Sequence, residues 1–170
     1  MSNAELQALL DERAIRDIIF RYTHAVDRFD WAMLSDCFHP DAVLEYGSTS
    51  TPADWIAGAE RGLSTYRFTQ HAVSNVLVES DGSDVARAQS YCLARHRIPG
   101  ADGKPDTDFL WGGRYVDRFE RRDGAWRIAH RIVVHEWTKY EPVEATWPNA
   151  ASFTQGERGP DDIYYRVRRP

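Results

Sequence analysis

Apolar positions near the start of the chain recur at helical spacing. Ile15, Ile18, Ile19, Tyr22, Val26 and Phe29 form one stripe, with Arg13, Arg16, Asp17 and Arg21 off it. Ser2 and Glu5 stand in capping-box spacing, so the pattern predicts a long amphipathic helix lying with one face on an apolar surface. Asp30 can cap a second, short helix carrying Trp31, Leu34 and Phe38 and stopped by His39-Pro40. A short strand, Ala42 to Tyr46, ends at Gly47, and Thr51-Pro52 opens a third helix with Trp55, Ile56, Ala59 and Leu63 on one face.

After about Tyr66 the period becomes strand-like. Strands are predicted at Phe68–Glu79, Val85–Ile98, Phe109–Arg121 and Ala125–Thr138, with Asp81-Gly82 and Asp123-Gly124 as hairpin turns and a longer rim loop from Pro99 to Pro105. Three helices, one short strand among them, and then an antiparallel meander define an α+β layer architecture: a curved sheet curled around the long helix, open at one end. The 170 residues suit one domain, residues 1–140, followed by a tail, 141–170. That tail holds Pro142, Pro148, Gly156, Gly159 and Pro160 with Trp147, Phe153, Tyr164 and Tyr165 among them. Aromatics in an irregular segment need burial, so the tail is expected to pack on the domain or on a neighbouring subunit.

Composition narrows the function. A net charge of −5 lacks the basic stripe of a nucleic-acid binder, and the basic end (Arg166, Arg168, Arg169) is offset by Asp161 and Asp162. Met1–Asp11 has neither a basic segment nor an apolar run, and no window approaches a membrane span; a cytoplasmic protein is the expectation. Cys37 and Cys92 give no disulfide framework and read as small core residues. The six histidines form no zinc motif, and there is no phosphate loop or nucleophile elbow, so neither metal nor cofactor is expected.

Strand parity sorts the remaining candidates. One face of Val85–Ile98 reads Ala86, Ala88, Ser90, Cys92, Ala94, His96: small, mostly apolar, with one basic group. His71 shares a face with Val73, Asn75 and Leu77 by simple alternation. On the last strand Trp126, Ile128 and Ile132 oppose Arg131 and His135, and a bulge would exchange their faces. Asp27 lies on the flank of the helical stripe: either a boundary carboxylate, or one aimed at a histidine whose tautomer it fixes and whose basicity it raises.

Val26-Asp27, Thr69-Gln70-His71, and Glu120-Arg121-Arg122-Asp123-Gly124-Ala125-Trp126 resemble the SnoaL-like branch of the nuclear transport factor 2-like superfamily. The similarity covers about residues 5–138 and looks nearest to the scytalone dehydratases and hexachlorocyclohexane dehydrochlorinases. The resemblance implies a cone-shaped α+β barrel in which Asp27 and His71 form a proton-abstracting dyad. It assigns Arg131 to stabilising a leaving group, and Tyr46 and His96 to polarising the substrate. Arg131 could equally be the ion-pair partner of a carboxylate. Tyr22, Val26, Cys92, Trp111 and Tyr115 are the expected substrate-contacting residues, although Val26 and Tyr115 depart from the dehydratase pattern. The expected activity is a cofactor-independent lyase acting on a small apolar cyclic molecule. The alternatives are a ketosteroid-isomerase-like isomerase, a non-catalytic binding or accessory protein, and a small subunit beside a ring-hydroxylating dioxygenase. The resemblance also implies a homo-oligomer, a trimer in preference to a dimer.

Overall fold

In the computed structural model, which describes residues 2–144 and 147–167, the first helix (α1) spans Asn3–Arg28. Its capping box is closed both ways: the Glu5 N–H donates to Ser2 Oγ and the Ser2 N–H to the Glu5 carboxylate. Ile15, Ile19, Tyr22 and Val26 are buried along one line. Phe29, expected on that stripe, is instead the C-cap, with φ of 56° in the left-handed region. Further towards the N-terminus the line holds a buried carboxylate, Asp11, which accepts from the Trp126 indole (2.9 Å) and from Arg121 (2.9 and 3.1 Å). Those bonds tie α1 to the last hairpin.

Asp30 caps the second helix (α2, Trp31–Asp36) by accepting from the Met33 N–H. Phe38 does not continue it. The first strand (β1) runs Phe38–Glu45, because the backbone here pairs in parallel with the last strand, Phe38 opposite Ile128 and Leu44 opposite Arg131. This long-range ladder ends the helix before the stop read at His39-Pro40. A two-residue strand (β2, Thr49–Ser50) precedes the third helix (α3, Pro52–Leu63), which is capped by Thr51.

The meander comprises β3 (Thr69–Ser80), β4 (Val85–Ile98), β5 (Thr107–Arg122) and β6 (Ala125–Pro142). The sheet order is β2-β1-β6-β5-β4-β3, all antiparallel except β1 with β6. It is a mixed, curved, unclosed sheet with α1 along its concave side. The apolar core lies between α1 and the inward residues of β1, β4, β5 and β6.

Three bulges reset the parity read from alternation. The first is in β3, where Asn75 takes φ of 50°; beyond it Val76 and Val78 turn inward and Leu77 outward, so Leu77 does not share the face of His71 and Val73. The second adds Ala129 to β6, which brings Arg131 onto the same side as Trp126 and Ile128 and leaves Ile132 exposed. The third lies opposite Gly112-Gly113, between His135 and Trp137. Gly112 leaves room for the Trp137 indole, which a Cβ at that position would overlap.

The C-terminal segment returns to the end of α1. Arg28 donates to Asp162 (3.0 Å) and Tyr165 to Asp30 (3.0 Å). Arg168 and Arg169, part of the expected basic end, lie outside the described residues. Among the described residues no helix is long and apolar enough to cross a membrane.

Candidate active site

At the open end of the curved sheet lies a cavity of about 430 Å³. Its polar lining is Tyr46, His71, His96 and His135; its aromatic walls are Tyr22, Phe109, Trp111 and Tyr115, with Ala94, Val133 and Gly47 between. Six elements deliver these groups: α1, the turn after β1, and the inward faces of β3, β4, β5 and β6.

Asp27, in the last turn of α1, faces His71 at the start of β3. Its Oδ2 accepts from the His71 backbone N–H (2.8 Å) and its Oδ1 pairs with His71 Nδ1 (2.7 Å). A carboxylate only accepts, so Nδ1 carries a proton, and in the neutral ring Nε2 is the nitrogen with the free lone pair. Because the same carboxylate also holds the backbone of His71, the ring is fixed in position as well as in tautomer. Both side chains are largely buried, yet His71 reaches the cavity.

His96, opposite Thr69 in the β3–β4 register, has its Nδ1 paired with Thr69 Oγ1 at 2.7 Å. Its ring stacks between Tyr66 and Phe109 and meets the edge of His71, with centroids 5.4 Å apart. Burial, with the adjacent His71 adding to it, pushes its pKa down to about 4. His96 is therefore a neutral imidazole at neutral pH.

Across the cavity the hydroxyls of Tyr22 and Tyr46 are 2.7 Å apart. Desolvation raises the pKa of both, and that of Tyr115, so all three are neutral phenols. Behind them sits Arg131. Its guanidinium carbon lies 4.1 Å from the Tyr22 ring centre and 4.2 Å from that of Tyr115, and Nε and Nη2 each bond Asp117 at 2.7 Å. Burial alone would lower its pKa, but the Asp117 charge overrides this and holds it well above the usual value. Nη1 has no hydrogen-bond partner among the described residues.

The structure thus gathers His71, Tyr46 and His96 with Tyr22, Trp111 and Tyr115 at one cavity, with Asp27 held against His71 from behind. Arg131 is set one layer behind it as the partner of Asp117. Val26 and Cys92 lie in the core rather than in the cavity lining, and burial pushes the thiols of both Cys92 and Cys37 up to about 11. Sequence reasoning missed Phe109, Val133, His135 and Thr69. Asp117 left a signal: it falls between Tyr115 and Phe119 on the inward parity of β5, where a charge needs a partner. Among the described residues no group of three or more His, Cys, Asp or Glu side chains is arranged to hold a metal ion.

A curved open α+β sheet on a long helix, with a carboxylate–imidazole pair in the wall of an aromatic cavity, describes a small-molecule pocket protein. The model of the SnoaL-like domain matches residues 7–132, and the chain belongs to that family. The terrestric acid biosynthesis cluster protein E of Penicillium crustosum is 29% identical over 134 residues, spanning 76% of this chain and 86% of that protein. Among solved structures, a hexachlorocyclohexane dehydrochlorinase superposes with a TM-score of 0.74 at 21% identity, covering 86% of this chain and 99% of the other. A putative scytalone dehydratase from Novosphingobium aromaticivorans gives 0.68 at 23% identity, covering 86% and 100%. At these identities the likeness establishes the fold.

Proposed function

We propose that the protein is a cofactor-independent lyase that eliminates water or a halide from a small, apolar, cyclic substrate. The observation carrying this reading is the double bond from Asp27 to His71 beside an aromatic cavity of about 430 Å³. His71 Nε2 takes a proton from a substrate carbon. The C–H electron pair becomes the new π bond, and the leaving group departs with its own bonding pair. Asp27 stabilises the imidazolium that forms, and general-base catalysis of this kind contributes about 10²–10⁴-fold. The Tyr46 hydroxyl and His96 polarise a carbonyl or the leaving hydroxyl. Arg131 contributes through Tyr22 and Tyr115 rather than by contact, which supports a different role from that implied by the resemblance. Two neighbours of the same fold bear the names of eliminating enzymes, in keeping with this chemistry.

The test is a screen of cyclic β-hydroxy ketones and halogenated cycloalkanes, followed by optical or NMR detection of the alkene. Turnover that disappears in both Asp27→Asn and His71→Ala supports the proposal. Turnover that survives both variants removes the dyad mechanism, and saturable binding without turnover favours an accessory binding protein. The outer sheet face, with Tyr91, Leu93 and Trp137 exposed over a shallow groove, supports a homo-oligomer. Sedimentation equilibrium separates trimer from dimer.

A further inference from the structure

The cavity reaches the Asp27–His71 pair at His71, whereas a separate crevice reaches it at Asp27. The far wall of that crevice is the C-terminal segment, which the elimination chemistry leaves without a role. Asp162 anchors the segment: its buried carboxylate accepts from Arg28 (3.0 Å), the Glu157 N–H (3.0 Å) and the Tyr164 N–H (2.9 Å). Burying a carboxylate with three donors fixes the backbone on which Arg158 stands. The Arg158 guanidinium lies over the ring of Phe29, the C-cap of α1, with its carbon 4.2 Å from the ring centre. Nη2 is buried and has no hydrogen-bond partner among the described residues.

Three other charged groups around this corner are engaged elsewhere. Arg28 is spent on Asp162 and the Glu157 carbonyl, Arg67 on Asp106 (2.6 Å), and Asp30 on Tyr165. His24 on α1 is pushed towards its neutral form by burial and by Arg28, and His96 on β4 is neutral as described. Among the described residues that line this crevice, Arg158 is the cation with a buried N–H group left without a partner.

We propose that Arg158 is a positioning residue: the C-terminal segment fixes its positive charge in the crevice that Asp27 also lines, where it holds that carboxylate turned toward its two bonds with His71. The proposal rests on the dyad reading and deepens it. Electrostatics agree with the geometry, since burial and Arg28 lower the Arg158 pKa while Asp27 opposes them, and Arg158 is among the charges favouring neutral His96. A cation at this place weakens the pull of Asp27 on the Nδ1 proton without removing it.

The experiment uses the full chain, labelled with ¹⁵N-histidine, and reads the His71 ring nitrogens by long-range ¹H–¹⁵N correlation at pH 7.5. It compares Arg158→Gln, Arg158→Met and Arg158→Lys; the Met variant keeps an apolar stem over Phe29. The expected result is a downfield shift of the His71 Nδ1 resonance by several line widths in Gln and Met, with Lys close to the parent. The ring of His130, bonded to the remote Glu45, stays unchanged. An unmoved His71 in both charge-free variants overturns the proposal. So does a Lys variant that shifts as far as Gln, or a His130 that moves with His71, because either pattern reports loosening rather than lost charge. No substrate is needed, so failure of the turnover screen would leave this result standing, and the reverse also holds.

Discussion

Arg131 and Asp117 face each other across β5 and β6 and form a two-pronged ion pair, 2.7 Å at each contact, with Arg131 0% exposed. The pair lies under the two tyrosines that wall the cavity, so it supports the pocket from behind. Breaking such a pair on one side leaves an uncompensated buried charge, whereas replacing both partners removes the problem.

Arg131→Met is therefore expected to destabilise the fold by about 3–5 kcal/mol. The double variant with Asp117→Leu should recover most of that loss. Urea denaturation of the two singles and the double gives the coupling directly. If Arg131→Met unfolds at the parent's urea concentration and only turnover is lost, the arginine acts on the substrate and not on the scaffold.

His96 makes stability depend on acid. Its folded pKa of about 4 lies below the ordinary 6.5. Between those values the unfolded chain binds a proton that the folded one refuses. Stability is therefore fully present above about pH 6.5 and falls as pH drops towards 4, by about 2–3 kcal/mol from this residue. His24 and His39, lowered chiefly by burial, act in the same direction. His96→Asn should shrink the difference in unfolding free energy between pH 7.5 and pH 4.5 by about 2 kcal/mol. An unchanged difference would mean that His96 titrates normally.

Tyr22 and Tyr46 share a hydroxyl contact and both line the cavity, but Tyr22 is 1% exposed whereas Tyr46 is half-buried. Tyr46→Phe takes the partner from the more deeply buried Tyr22 hydroxyl, at a cost of about 1–3 kcal/mol. Tyr22→Phe leaves a hydroxyl that the cavity can solvate and should cost about 1 kcal/mol or less. Thermal and urea unfolding of the two variants rank them; the reverse order would contradict this account of the pocket.

With a substrate in hand, Asp27→Asn should lower kcat by about 10²–10⁴-fold with little change in KM. The amide loses the charge that stabilises the imidazolium, and its NH₂ cannot accept from the His71 backbone. A KM rise with kcat intact would assign Asp27 to binding alone.

Local chemistry was legible in the sequence wherever the determinant is local. The Ser2–Glu5 capping box, the Asp30 and Thr51 caps and the stripe of α1 each depend on side chains within one or two helical turns. The hairpin turns and the alternating small face of β4 are also near-neighbour patterns, and with them the α+β class followed. The quoted motifs carried the resemblance that placed Asp27 and His71 together, but helical phase alone put Asp27 no nearer than the flank of the stripe.

Tertiary structure decided what depends on pairing between distant strands. Phe38 left its predicted helix because β6 offered a parallel ladder to its backbone. The bulges at Asn75 and Ala129 moved Leu77 and Ile132 outward and Arg131 inward, and a single inserted residue reverses every later side chain with no mark in the polarity pattern. The Arg131–Asp117 pair, the Thr69 hold on His96 and the crevice shared by Arg158 and Asp27 join residues far apart in sequence. Such contacts are fixed by sheet register and chain reversal, so only the folded chain could bring them together.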